Sequence, residues 1–330
     1  MRGFRLVTTL AATLLAATAL TGGTARAQGT TASQTIDIMN KLWGKHPGMR
    51  ANHAKGVVAE GSFTPTPAAA GLSKAVIFAG KPVPVTVRFS DSTGLPTLPD
   101  GAPGANPHGM SIKFVLADGG QVDVVTNSLA FFPVPTGEDF RDLLTAFAAS
   151  GPDAPKPTQA EQYMAAHPTV PKAFGSVSTP SSFARETYNG VDAFIFIDAA
   201  GKRQPFRFKI VPVAGTEHLS AADAAKQPAD FLVDELPKRL AKEPVAFKLE
   251  AQLAMPGDPT KDPTQPWPES RKVVDLGTIT LTKVPADQAA AQKALRYLPN
   301  RLTPGIEVSD DPLIDARVRA YLISFGRRAQ

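Results

Sequence analysis

Two short stretches place an arginine beside a side chain that could do chemistry. In the first, Arg50-Ala51-Asn52-His53-Ala54-Lys55-Gly56, an imidazole follows a guanidinium within one turn of chain. The small apolar residues that come next, Val57 to Phe63, read as a β-strand, which sets His53 at the mouth of a rigid element facing a cavity. A histidine held that way can act as a general acid–base. Standing alone, it fits a surface or satisfied core histidine more simply. In the second stretch, Arg317-Val318-Arg319-Ala320-Tyr321, the spacing puts guanidinium and phenol on one helical face. A guanidinium stabilises a neighbouring phenolate, and a phenolate is a hard anionic oxygen that can ligate ferric iron. The same pair also fits a salt-bridging arginine beside an amphipathic tyrosine at a helix edge.

The rest of the composition removes competing chemistries. There is no cysteine, which excludes thiolate iron ligation, iron–sulfur clusters, Cys-based zinc sites and c-type haem attachment. His46, His108, His167 and His218 show no metal-binding spacing and read as structural or surface residues. Ser62, Ser90 and Ser182 lack a nucleophile elbow, and Gly101-Ala102-Pro103-Gly104 is a proline-broken loop that follows no strand. Arg2 and Arg5, the apolar run Leu6 to Leu20 and the small-residue site Ala25-Arg26-Ala27 read as a secretory leader over residues 1–27. Its removal leaves 303 residues as a single domain, 28–330, and lowers the net charge from +5 to +2. No basic run remains to suggest a nucleic-acid partner, and no later stretch suits stable membrane insertion. A periplasmic or secreted protein is expected.

The elements that must position the two stretches can be read from periodicity. Ser33 to Lys45 fits one amphipathic helix, ended by His46-Pro47-Gly48. Strands are expected over Lys55–Phe63, Val83–Ser90, Gly109–Leu116 and Gln121–Thr126, and again over Ala193–Asp198, Pro205–Pro212, Val245–Leu253 and Val273–Val284. Asp118-Gly119-Gly120 and Ala199-Ala200-Gly201-Lys202 are hairpin turns. In Pro205–Pro212, Phe206, Phe208 and Ile210 face a core while Arg207 and Lys209 point outward. Helices are expected over Gly137–Ala149, Gln159–Ala166, Ala229–Ala241 (interrupted by Pro237), Ala286–Tyr297 and Pro312–Phe325, with 255–270 an irregular crossing. Four strands, helices, then four strands predict an α+β fold: an eight-stranded antiparallel β-barrel with helices packed around it.

Several ordered blocks carry a family resemblance. Pro304-Gly305-Ile306-Glu307, Ser309, Asp310 and the Arg317–Tyr321 pair resemble the proximal haem segment of monofunctional haem catalases. Arg50 to Gly56 resembles their distal histidine segment, and Val87-Arg88-Phe89-Ser90 the strand after it. Gly109-Met110-Ser111-Ile112-Lys113-Phe114, Asp118-Gly119 and Asp123-Val124-Val125 follow in the same order. His218-Leu219-Ser220 with Asp223-Ala224-Ala225, Trp267-Pro268, and Gly277 with Thr280-Leu281 continue it. The resemblance spans roughly residues 35–325. The chain is similar to the minimal, exported branch, the catalase-related peroxidases, which share the catalase-like barrel.

The resemblance implies haem b as cofactor, with Tyr321 as the iron ligand and Arg317 holding it as phenolate. His53 would be the distal acid–base and Ser90 would fix its tautomer. Arg50, Arg88 and Arg328 are candidates to pair with haem propionates, and Phe140 to pack on the haem face. Two departures stand out. The distal asparagine segment is shortened to Thr126-Asn127-Ser128-Leu129-Ala130-Phe131-Phe132, leaving Asn127 as the candidate. The proximal histidine expected near Val191–Ala193 is absent, with Asp192 there instead, which removes a hydrogen-bonding group. The expected function is reduction of hydrogen peroxide or organic hydroperoxides by small organic electron donors, with weak catalase activity, in a monomer or small homo-oligomer. Rival readings are a non-catalytic haem- or lipid-binding barrel, and isomerisation of a fatty-acid hydroperoxide on the same residues.

Overall fold

Alternating side chains build the strands. In a computed structural model that describes residues 22–328, Val245, Phe247, Leu249, Ala251 and Leu253 turn inward along one strand. Ala246, Lys248, Glu250 and Gln252 stay half-buried on its other face. The strands are β1 (Gly56–Pro65), β2 (Val83–Asp91), β3 (His108–Val115), β4 (Gln121–Asn127), β5 (Tyr188–Asn189), β6 (Phe194–Ile197), β7 (Arg203–Pro212), β8 (Val245–Leu253), β9 (Val273–Lys283) and β10 (Ile306–Val308). β7, β5, β4, β3, β2, β1, β9 and β8 pair antiparallel in that order, and β8 closes onto β7. This is the expected eight-stranded barrel, and closure leaves those staves without a free edge.

β6 continues the β5 stave along β7, past Gly190, and β10 pairs with its outer edge. β5 and β10 are too short to stand out in the sequence. The hairpin turns form as their glycines require. Gly119 at φ +85° joins β3 to β4, with Asp118 Oδ1 accepting from Gly120 N at 2.8 Å. Gly201 at φ +83° joins β6 to β7. Aromatic rings fill the barrel: Phe63 meets Phe114 edge-on at 5.3 Å, and Phe196 stacks on Phe206. A ligand site must therefore lie outside the wall.

The helices are α1 (Gly22–Trp43), α2 (Pro67–Leu72), α3 (Gly137–Ala148), α4 (Gln159–Ala166), α5 (Thr169–Phe174), α6 (Ala221–Ala224), α7 (Phe231–Leu240), α8 (Gln288–Ala294) and α9 (Pro312–Arg328). α1 begins at Gly22 rather than Ser33. The leader expected over 1–27 lies, through residue 21, outside the described residues. α7 runs on through Pro237, because Leu232, Leu236 and Leu240 bury against the barrel and outweigh the lost backbone bond. α8 stops at Ala294, short of the expected Tyr297, and its last carbonyls meet arginines described below. Arg207 points out of the barrel but is not solvated. The irregular 255–270 crossing covers it: Arg207 donates to the Gln265 and Asp262 carbonyls at 2.7 and 3.1 Å and lies 4.5 Å over the Trp267 ring. Among the described residues, no helix is long and apolar enough to cross a membrane.

Candidate active site on the barrel wall

β2, β3 and β4 alternate between two interiors. Val85, Val87, Phe89, Met110, Ile112, Val122 and Val124 face the barrel core. Arg88, Ser90, Gly109, Ser111, Val125 and Asn127 face outward, yet they are covered and line a cavity between the barrel wall and α1, α3 and α9. α9 turns one face to this cavity at helical spacing, with Leu313, Ala316, Arg317, Ala320, Tyr321, Ser324 and Arg328 in the row. Its first turn is anchored by Asp311 Oδ1, which accepts from Leu313 N at 2.9 Å. α3 starts beside it: Thr136 Oγ1 accepts from Asp139 N at 3.1 Å, and a Cβ on Gly137 would come within 2.6 Å of the Ala316 Cβ. α1 closes the cavity with Thr35, Ile36 and Met39.

Every residue singled out in the sequence lines this one cavity: Arg50, His53, Arg88, Ser90, Asn127, Phe140, Arg317, Tyr321 and Arg328. His53 Nδ1 lies 3.1 Å from Ser90 Oγ, which leaves Nε2 as its other polar atom. Its backbone sits at φ +56°, held by Asn52 Oδ1 accepting from His53 N at 3.0 Å. Gly109 makes room for the ring. A Cβ there would stand 3.0 Å from Ser90 Oγ and 3.2 Å from the imidazole. Burial, then the Arg88 and Arg50 charges, push the His53 pKa down to about 3, so the ring is a neutral base near neutrality.

Arg317 Nε and Nη2 both donate to the Tyr321 phenol oxygen, at 3.3 and 3.2 Å. Its Nη1 pairs with Asp192. Asp192 therefore does not leave a gap where a histidine was expected; it supplies a carboxylate that anchors Arg317 from behind. Burial works against the Arg317 charge, but Asp192 and then Tyr321 outweigh it and hold the guanidinium above its ordinary range. Asp311 stands in the same group, its pKa raised to about 7 by burial and by Asp192. Asn127 reaches the cavity with its amide oxygen already accepting from Leu129 N at 2.9 Å. Phe140 lies at the cavity edge, its ring 5.4 Å from Phe132.

Sequence reading passed over Asn52, Arg296 and Tyr297, which also line the cavity. Arg296 and Tyr297 carry no local signal, because only the end of α8 turns them inward. Together the arginines test what the site can hold. Arg50 donates to the Leu295 carbonyl at 2.8 Å, Arg88 to the His53 and Ala54 carbonyls at 2.9 and 3.1 Å, and Arg328 to Leu295. Among the described residues, none of these three, nor Arg296, forms an ion pair with a carboxylate, and Arg328 Nε has no partner. Burial, then Arg88 and Arg328, hold Arg50 well below its ordinary pKa, and burial with Arg296 lowers Arg328 to about 10. Uncompensated buried cations of this kind fit a dianionic ligand. With a phenol oxygen braced by a guanidinium on the same cavity, the set fits a haem: iron at Tyr321 and propionates at the arginines.

A family model described as Catalase matches residues 21–328. The chain is 38% identical to a catalase-related peroxidase of Mycolicibacterium paratuberculosis, across 91% of this chain and 95% of the relative. It is 31% identical to a catalase-related peroxidase of Synechococcus elongatus, across 100% and 98%. In structure it is similar to a fungal catalase (TM-score 0.77, 21% identity) and to a bacterial catalase (TM-score 0.76, 23% identity). It covers 60% and 58% of those longer chains, against 86% of its own length.

Proposed function

This chain belongs to the catalase family, and from that premise we propose that it is a haem-dependent peroxidase. It reduces hydrogen peroxide or organic hydroperoxides with electrons from small organic donors. The observation that carries the reading is the meeting, in one cavity, of the His53–Ser90 pair, the Tyr321–Arg317 pair and arginines without carboxylate partners. Tyr321 would hold the iron through its phenol oxygen, to which Arg317 donates twice. Arg50, Arg88 and Arg328 would take the two carboxylates. A haem b bound there supplies the iron whose electron exchange with peroxide breaks the O–O bond.

The side chains move the protons. With the proton on His53 Nδ1, shared with Ser90 Oγ 3.1 Å away, Nε2 is left as the base. Nε2 takes the proton from one peroxide oxygen and returns it to the other, so that this oxygen leaves as water. A ring that is neutral near pH 7 is ready for the first half of that exchange. Catalase turnover also needs a second peroxide to be held and oxidised. The segment that carries Asn127 is shortened and its amide oxygen is turned to Leu129 N, so we expect this second step to be weak.

The test is the absorption spectrum of the purified chain before and after one equivalent of hydrogen peroxide, followed by oxidation of guaiacol. A ferric haem spectrum that changes with peroxide and is restored by guaiacol supports the peroxidase. Haem that binds and ignores peroxide replaces it with a binding barrel. A chain that takes up no haem overturns both.

A further inference from the structure

Five ionisable side chains pack behind the Ser90 wall and take no part in the reaction described above. Asp91 follows Ser90 on β2 and so turns to the other face of the strand. His108 is its cross-strand partner on β3, one position before Gly109. Both are fully buried, with His108 Nε2 3.5 Å from Asp91 Oδ1. Among the described residues, neither His108 ring nitrogen and neither Asp91 oxygen has a hydrogen-bond partner. Asp100 is fully buried as well, and both carboxyl groups gather at Lys55 Nζ. Buried carboxylates held that close repel each other unless one keeps a proton. Lys55 Nζ contacts Asp100, stands 3.8 Å from Asp91, and pairs at 2.9 Å with Asp230 Oδ1. The Asp230 side chain is 59% exposed, so this end of the cluster reaches solvent.

The charges do not balance if every group is ionised: three carboxylates meet one lysine beside a histidine that burial keeps neutral. A proton kept on Asp91 would ease that excess, one strand position from the distal site. We propose that Asp91 keeps a proton, and that this cluster, open to solvent through Lys55 and Asp230 and set behind the cavity wall by the cross-strand pair of Asp91 with His108, is the proton reservoir of His53. The inference rests on reading His53 as the acid–base of a peroxidase. Reducing one peroxide to two waters consumes two protons along with the two electrons of the donors. His53 only shuttles a proton it takes from the peroxide, so a donor that gives electrons without protons leaves those two protons to come from another source. The charged and titratable groups around Asp91 are Lys55, Arg88, Asp100, His108 and the Tyr188 phenol. Those around His108 are Asp91, His53 and His218.

Asp91 and His108 act through His53, so the test needs readings that a packing defect would not move. In infrared spectra of the purified protein near neutral pH, one protonated-carboxyl carbonyl stretch, beyond that of Asp311, should be lost in Asp91→Asn. In the wild type it should fade as pH rises past about 8. In dilute buffer, kcat for oxidation of ABTS, which gives up an electron and no proton, should fall roughly ten-fold or more in Asp91→Asn with the peroxide KM unchanged, and added imidazole should restore it by delivering protons directly. His108→Asn breaks the next link: the same rescuable loss of kcat, with the infrared band retained. The proposal is overturned if no band depends on Asp91, if both variants keep wild-type kcat, or if imidazole restores neither. A wild type that oxidises neither guaiacol nor ABTS overturns the peroxidase reading and the supply role with it, while the band still decides whether Asp91 keeps a proton.

Discussion

His53 holds a left-handed backbone that costs a non-glycine residue about 1 kcal/mol or more, and Asn52, Ser90 and the Arg88 guanidinium on its carbonyl keep it there. That outlay is useful only if the ring must point one way. Replacing His53 by Ala should leave haem bound and slow the reaction with peroxide by roughly a hundred-fold or more, measured by stopped-flow absorbance. An unchanged rate would remove His53 from the mechanism. Tyr321 is tested separately. Tyr321→Phe deletes the oxygen that accepts both Arg317 bonds. Titration with haem should then give weak binding or a shifted spectrum, and a full, unshifted spectrum would place the iron ligand elsewhere.

At the scale of elements, the distal wall works because two strands are out of step in size. Ser90 on β2 faces Gly109 on β3 across the ladder, and the missing side chain is the space into which the His53 ring fits. Gly109→Ala adds a methyl that the hairpin backbone tolerates but the imidazole must avoid. The expected result is a folded, haem-binding protein whose peroxide reaction slows roughly ten- to a hundred-fold through displacement of His53. An unaffected rate would mean the ring has slack that its contacts do not suggest. The proximal side depends on α9 in the same way. Asp311 starts the helix, Asp192 comes in from the chain just before β6, and their meeting at Arg317 ties barrel to helix.

Over the whole molecule, buried ionisable groups set a pH window. His53 and His108 are each depressed from 6.5 to about 3, chiefly by burial, so they stabilise the haem-free fold above pH 6.5 and lose that contribution as pH falls toward 3. Asp91 and Asp311 are raised from 3.8 to about 8 and about 7, by burial first and then by Asp100 and Asp192. Their contribution is fully present below pH 3.8 and lost as pH rises through those values. Each such group changes stability by about 1.4 kcal/mol per pH unit within its window. Between pH 4 and 6.5 the two pairs oppose each other. The melting temperature of the haem-free chain should therefore be highest across that range, falling above 6.5 and again below 4. A rise between pH 6.5 and 8 would contradict the assignments of Asp91 and Asp311.

The sequence by itself determined the eight staves, the hairpin glycines, the long helices and the residues that gather at the cavity. Alternation, turn chemistry and four-residue spacing are local and survive without a structure. Tertiary structure alone decided the environments. Asp192 looked like a lost partner in the sequence, and folding made it the counter-ion of Arg317, because that pairing joins positions 125 residues apart. Arg207 looked solvated until the 255–270 crossing lay over it. Arg296 and Tyr297 entered the cavity because α8 ends early to aim its carbonyls at Arg50 and Arg328. His108 passed for an ordinary histidine until β3 set it, fully buried, beside Asp91. Burial and charge pairing depend on what the rest of the chain brings near, and no window of sequence contains that.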